Sequence, residues 1–154
     1  MARELTDAAK AAKAIRAELK AIGVKARVKS QTYSGGDSVD VYTTDLTPEV
    51  MAQVNTICKK YQEGHFDGMT DCYEYTNTNS ELVAQVKYVF VENSASDDMI
   101  TNILNWIDSK DAGKQFDTDA KIKEFFRDYS MSRYNLARKM FRGYDLFGGF
   151  WQVA

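Results

Sequence analysis

His65 is the only histidine of the chain, and it sits among residue types that can do chemistry. Residues 64–75 read G-H-F-D-G-M-T-D-C-Y-E-Y, with one of the two cysteines, three carboxylates and three aromatics. Side chains of these kinds bind metals, activate a thiol or move protons. Structural zinc takes four Cys or His ligands, commonly in close pairs, and the whole chain holds three such residues. The acids Asp67, Asp71 and Glu74 do not follow calcium-loop spacing. Neither a metal nor another cofactor is expected. A catalytic cysteine needs a base to form its thiolate. Cys72 lies within reach of His65 along the loop, but no oxyanion-hole motif accompanies them, and Cys72 is expected to pack under a sheet. Asp67 and Asp71 have the chemistry of an acid–base pair, yet acids in a Gly-rich turn ordinarily hydrogen-bond the local backbone. The stretch therefore reads first as a clasp, with Phe66 and Met69 plugging the core, and no catalytic residue is assigned.

The elements around this loop follow from periodicity. Thr6 or Asp7 caps a first helix whose apolar residues Ala8, Ala12, Ile15, Leu19 and Ile22 form one stripe, and Gly23 ends it. Val24, Ala26 and Val28 alternate with Lys25, Arg27 and Lys29, which predicts a half-buried strand with one basic face. Tyr33-Ser-Gly-Gly-Asp37 then turns the chain into a second strand carrying Val39 and Val41. The glycine pair is not a phosphate loop, because no helix follows it and no lysine stands at the required place. Thr47-Pro48-Glu49 starts a second helix, with Val50, Val54, Ile57, Cys58 and Tyr61 on its buried stripe. Beyond the loop, Cys72 and Glu74 alternate with Tyr73 and Tyr75, and residues 82–91 read as a long strand covered on both faces.

The order αββαββ predicts an α+β fold: a four-stranded antiparallel sheet with both helices on one face. Ile15, Leu19, Val54, Ile57, Val89 and Val91 are the expected core. The remainder is helical. Ile100, Ile103, Leu104 and Ile107 share a face with Trp106 beside it. Asp117 or Thr118 starts a helix with Ile122, Phe125, Phe126 and Tyr129. Ser132 starts another with Tyr134, Ala137, Phe141 and Tyr144. Phe147-Gly-Gly-Phe-Trp151 reads as a tail tucked onto the body. The expected division is an α+β domain at 1–93 and a helical extension at 94–154 packed on the same body.

Length and composition fit a globular protein. No apolar run reaches the length of a membrane span, and the first residues lack a signal-peptide core, so a cytoplasmic location in the host cell is expected. Two cysteines are no disulfide framework, and Cys58 is expected to be reduced and buried. The net charge is −2, but residues 121–142 hold seven basic and two acidic side chains, +5, which leaves −7 for the rest. Such asymmetry bears on partners rather than fold. Arg138 and Arg142, four apart, share a helix face with water or a partner, beside Arg133 and Lys139. If the terminal aromatics are exposed there, Phe150 and Trp151 would anchor an interface. A sheet face with Lys25, Arg27, Lys29, Tyr42, Tyr73 and Tyr75 would combine cations with stacking platforms for nucleic acid, though recognised RNA-binding motifs are absent.

Four blocks occur in order: A-I-R-A-E-L-K at 14–20, S-G-G-D-S-V-D-V at 34–41, F-D-G-M-T-D-C-Y-E-Y at 66–75 and K-Y-V-F-V at 87–91. Together they resemble the large polyvalent protein-associated domain 29 family of phages, plasmids and conjugative elements, over about residues 6–92. The resemblance implies a mobile-element protein that acts beside incoming DNA and blunts host defence. The function expected from it is non-enzymatic binding of a host defence complex, of the restriction or CRISPR type. His65, Asp67, Asp71, Tyr73, Tyr75, Arg133, Arg138, Lys139, Arg142, Phe150 and Trp151 are the candidate partner-binding residues. A nucleic-acid-binding accessory protein is the alternative, and an enzyme using the His65–Tyr75 loop comes third.

Overall fold

A computed structural model of the chain describes residues 3–111, 133–143 and 149–153. The chain divides into two compact units, Met1–Ser94 and Ala95–Ala154.

In the first unit, α1 (Asp7–Ala21) begins at Thr6, whose Oγ1 accepts the Ala9 N–H at 3.2 Å. This satisfies one of the donors that a helix start leaves open. Its buried stripe is Ala8, Ala11, Ala12, Ile15 and Leu19. β1 (Arg27–Tyr33) and β2 (Gly36–Thr44) form the expected hairpin, paired from Arg27↔Tyr42 to Tyr33↔Gly36. The turn is Ser34-Gly35, with Gly35 at φ +86°, a conformation that favours glycine. α2 (Pro48–Lys59) is capped by Thr47 and buries Val54 and Cys58.

The sheet departs from the four-stranded antiparallel arrangement. β3 (His65–Asp67) and β4 (Cys72–Glu74) form a separate two-stranded antiparallel ribbon. β5 (Tyr88–Ser94) pairs parallel to β2, giving a mixed three-stranded sheet in the order β1–β2–β5. The cause is connectivity: a chain that leaves one strand and returns by a helix lays the next strand parallel, and α2 stands in that connection. The strand expected at 82–91 begins only at Tyr88. Val86 instead bridges in parallel to Gln62: Glu63 N–H donates to Val86 O and Val86 N–H to Tyr61 O, both at 2.9 Å.

Residues directly opposite one another in a sheet share a face. Val28, Val41 and Val91 form one such row, and Val39 with Val89 another. These valines pack with α1 and α2 into one core. Ile15, Leu19 and Val54 are fully buried, whereas Ile57, Val89 and Val91 are half-buried at its margin. Asn93 ties the end of this face together. Its Oδ1 accepts from the Thr43 hydroxyl at 2.9 Å and from Leu46 N–H at 3.3 Å, and its Nδ2 donates to Leu46 O at 3.0 Å.

The second unit contains α3 (Asp97–Asp111), α4 (Arg133–Phe141) and the short α5 (Phe150–Val153). Ile100, Ile103, Ile107, Leu136, Ala137, Met140, Phe141 and Phe150 make its core. The helix expected from Asp117 or Thr118, with Ile122, Phe125, Phe126 and Tyr129, lies outside the described residues, as do Ser132, Tyr144 and the side chain of Tyr134. Among the described residues, no helix is long and apolar enough to cross a membrane.

Candidate functional site

The rows of the sheet that face away from α1 and α2 are Arg27–Tyr42–Glu92, Lys29–Asp40–Phe90 and Gln31–Ser38–Tyr88. Phe90 is 57 % exposed, so β5 is not covered on both faces as its apolar run had suggested. From Phe90 a line of aromatic contacts runs outward. Phe90 stacks on Tyr88 at 5.9 Å, Tyr88 meets Tyr73 edge-on at 5.5 Å, and Tyr73 meets Tyr75 edge-on at 4.9 Å. These are favourable geometries for aromatic pairs. Phe66 stands opposite Tyr73 in the ribbon, on the same face. Two cations sit against the line or beside it. Lys87 Nζ lies 5.0 Å from the Tyr73 ring centre and donates to Gly35 O at 3.0 Å, and the Arg27 guanidinium lies 4.8 Å from the Tyr42 ring centre. Both distances are within the range of cation–π attraction.

The ribbon is held at its base rather than by its hydrophobic residues. Phe66 is 50 % exposed and Met69 95 % exposed, so neither plugs the core. The base is closed instead by Gly64, buried against the backbone of Glu74, and by the Tyr73 hydroxyl, which donates to Lys87 O at 2.5 Å. Burial first and the Glu63 carboxylate second push the Tyr73 phenol up to about 12. Burial and the carboxylate of Asp37 likewise raise Glu63. At the tip, Asp67 Oδ1 accepts Met69 N–H at 2.9 Å and Oδ2 accepts the Thr70 hydroxyl at 3.1 Å. These donors hold its carboxyl below the usual carboxylate range. Asp71 takes φ +55°, a left-handed turn position that Asp tolerates better than most residues.

His65, Asp67, Cys72 and Glu74 share the other face of the ribbon. Cys72 is exposed and does not pack under a sheet, because it lies on the ribbon face opposite Tyr73, and Tyr73 is the residue that meets the sheet at Tyr88. It stands opposite Asp67, and His65 opposite Glu74. His65 Nε2 is 3.4 Å from Glu74 Oε2, and Nδ1 is 3.2 Å from Thr76 Oγ1. His65 lines an open cleft of about 640 Å³ with Thr56, Lys59, Lys60, Gln62, Gly64, Thr76 and Asn77. Much of that wall is already committed. Asn77 Nδ2 donates to the carbonyls of Gln62 and Lys59, capping the end of α2, and Lys60 pairs with Glu18.

The structure thus groups Tyr73 and Tyr75 on one surface and places His65 and Asp67 on the opposite side of the same ribbon. The second unit is separate. There Arg138, Lys139 and Arg142 are exposed, while the Arg133 side chain lies outside the described residues. Phe150 is buried at 3 % exposure, against Trp106 and Trp151, and Trp151 Nε1 donates to Met140 O at 3.3 Å. These two aromatics serve the unit's own core and are not exposed anchors. Sequence reasoning missed Tyr88, Phe90 and Lys87. The alternation of Tyr88 and Phe90 with Val89 and Val91 held the signal, since two helices packed on one face leave the other open.

No curated protein and no solved structure matches the chain. A family model described as large polyvalent protein associated domain 29 matches residues 6–96, a span that takes in α1, α2, the mixed sheet and the ribbon. The chain belongs to the large polyvalent protein associated domain 29 family, a domain of the polyvalent proteins of phages and other mobile elements.

Proposed function

We propose that this chain is a non-enzymatic binding protein of a phage or conjugative element, and that the open aromatic face of its first unit docks a protein partner. The observation that carries this reading is the aromatic set Phe66, Tyr73, Tyr88 and Phe90 with Tyr75 at its flank, in which Phe66, Tyr75 and Phe90 are exposed and Tyr73 and Tyr88 half-buried. A contiguous apolar surface left in water is costly and commonly marks an interaction site. Tyr, Phe and Met are enriched at interface centres, and Met69 at the ribbon tip adds an adaptable apolar contact. For the partner we infer a host defence complex of restriction or CRISPR type, whose blocking would favour an incoming element. The test is affinity capture from host lysate with the wild type and a Tyr75→Ala/Phe90→Ala variant, each with and without nuclease. Capture that survives nuclease and is lost in the variant supports the reading. Capture abolished by nuclease favours an accessory protein that binds nucleic acid, for which the Arg27–Tyr42 contact on the same face is the supporting feature.

A further inference from the structure

β1 is the edge strand of its sheet, and among the described residues no strand pairs with its outer side. In a two-residue hairpin the closing pair, here Tyr33↔Gly36, exchanges both backbone hydrogen bonds, and bonded pairs then alternate along the ladder. Arg27, Lys29, Gln31 and Tyr33 therefore bond to β2, while the N–H and C=O of Val28, Ser30 and Thr32 point away from it. The Arg16 guanidinium confirms this direction by donating to Val28 O at 2.6 Å. Ser30 and Thr32 have no partner for these outward groups among the described residues, and every residue from Lys29 to Tyr33 is exposed.

The same edge is basic. Residues 19–36 contain Lys20, Lys25, Arg27 and Lys29 and no carboxylate. Arg16 joins them from α1, and all five are exposed. None of the five forms an ion pair among the described residues. Two acids stand across the ladder: Asp40, opposite Lys29, accepts from Gln31 Nε2 at 2.9 Å, and Asp37, opposite Thr32, accepts the Lys87 N–H at 2.8 Å. Natural edge strands are protected by lysines against pairing with arbitrary chains, and the same cations select for an acidic one.

We propose that the outer edge of β1 is a docking site for an acidic, extended peptide segment of a partner protein, which adds a fourth strand to the sheet beside Ser30 and Thr32. Alternating donors and acceptors match a peptide backbone. They do not match a phosphate backbone, whose oxygens only accept and would face the Ser30 and Thr32 carbonyls. Lys29 and Arg27 neutralise carboxylates on the open sheet face, and Arg16 and Lys20 do so from the helix side. This site lies at the β1 edge and the aromatic line at the β5 edge and ribbon; they share the open sheet face, but the proposal stands whether or not that line binds a protein.

The experiment uses the full chain and a short labelled peptide of alternating glutamate and valine, with its lysine–valine counterpart and an oligothymidylate as controls. Fluorescence anisotropy measures binding, and amide hydrogen exchange measures where it occurs. The acidic peptide should bind in preference to both controls and slow exchange at Ser30 and Thr32. Thr32→Pro removes an outward N–H that the β1–β2 ladder does not use, so an edge position of this kind accepts it. It should weaken binding about tenfold, the order expected for loss of one strand-pairing bond at an interface. Arg27→Glu with Lys29→Glu should abolish the preference for the acidic peptide. If Thr32→Pro does not fold, as judged by circular dichroism, exchange on the wild type decides. Failure of the acidic peptide to bind overturns the proposal. So does oligothymidylate binding that leaves the Ser30 and Thr32 amides unprotected, and so does protection that rises with protein concentration alone, which would seat a second copy on the edge.

Discussion

Gly64→Ala tests how the aromatic ribbon is anchored. A β-carbon at residue 64 would collide with the Glu74 carbonyl oxygen, and it would lie 2.8 Å from the Glu74 carbonyl carbon and 2.9 Å from Tyr73 Cε1. Two of these atoms are backbone, so no rotamer relieves the contact and the ribbon must open at its base. Forcing an extra carbon into a packed site costs about 1–3 kcal/mol. Opening the base also draws the Tyr73 hydroxyl from Lys87 O, a loss of about 1 kcal/mol. Alanine restricts the unfolded chain, which offsets about 0.4–1 kcal/mol. The net is a destabilisation of about 2 kcal/mol, equivalent to a fall in Tm of about 8–16 °C for a unit of this size. Thermal circular dichroism gives the shift. Hydrogen exchange gives its place, with faster exchange at 65–67 and 72–74. A variant that melts within about 2 °C of the wild type, a quarter of the smallest expected shift, with unchanged exchange in the ribbon would refute the account of Gly64 as a forced close approach.

Leu19 is 1 % exposed in the core, and Leu19→Ala should cost about 2–5 kcal/mol in urea unfolding; a cost under about 1 kcal/mol would mean that the site closes without leaving a cavity. Tyr73 titrates at about 12 in the folded state, above the unfolded value near 10, so the stability tied to its protonated hydroxyl is whole below about pH 10 and is lost as pH rises toward 12. The gap in urea midpoint between wild type and Tyr73→Phe should narrow across that window, and a constant gap would contradict the burial that raises the phenol. At Glu18 burial opposes ionisation, but donors from Lys60 and Tyr61 outweigh it and lower the carboxyl, so its stability is present above the ordinary pKa and fades as pH falls through the folded value. Glu18→Gln should therefore be less stable than wild type at neutral pH and approach it in acid. Cys72 is exposed, whereas Cys58 is buried with its thiol pushed up to about 11 by burial and by Glu18. A thiol reagent at neutral pH should label one site quickly and the second only on unfolding, and two fast equivalents would place Cys58 wrongly.

The elements of the first unit were legible because local patterns dictate them. The stripe of α1, the Thr6 and Thr47 caps and the alternation from Val24 to Val41 each depend on neighbours a few residues away. Partner and direction of the later strands depend on long-range closure, which periodicity does not encode. Alternation at Cys72–Tyr75 announces a strand equally well whether it joins the main sheet or pairs with His65–Asp67 alone. A helix between β2 and β5 was the available cue for a parallel crossover. The site was half legible for a related reason. Residue types marked the 64–75 loop, but the assumption that apolar residues there must face inward placed Phe66 and Met69 in the core, and both stand in water. What holds the loop is a glycine, a phenol and a backbone carbonyl, which carry no hydrophobic signal. Once those three clamp the ribbon, its apolar side chains are released from structural duty. Phe66, Tyr75 and Phe90 stand exposed outside that clamp and are the stronger argument that the face binds something, and the same reasoning removes Phe150 and Trp151, which their own unit does need.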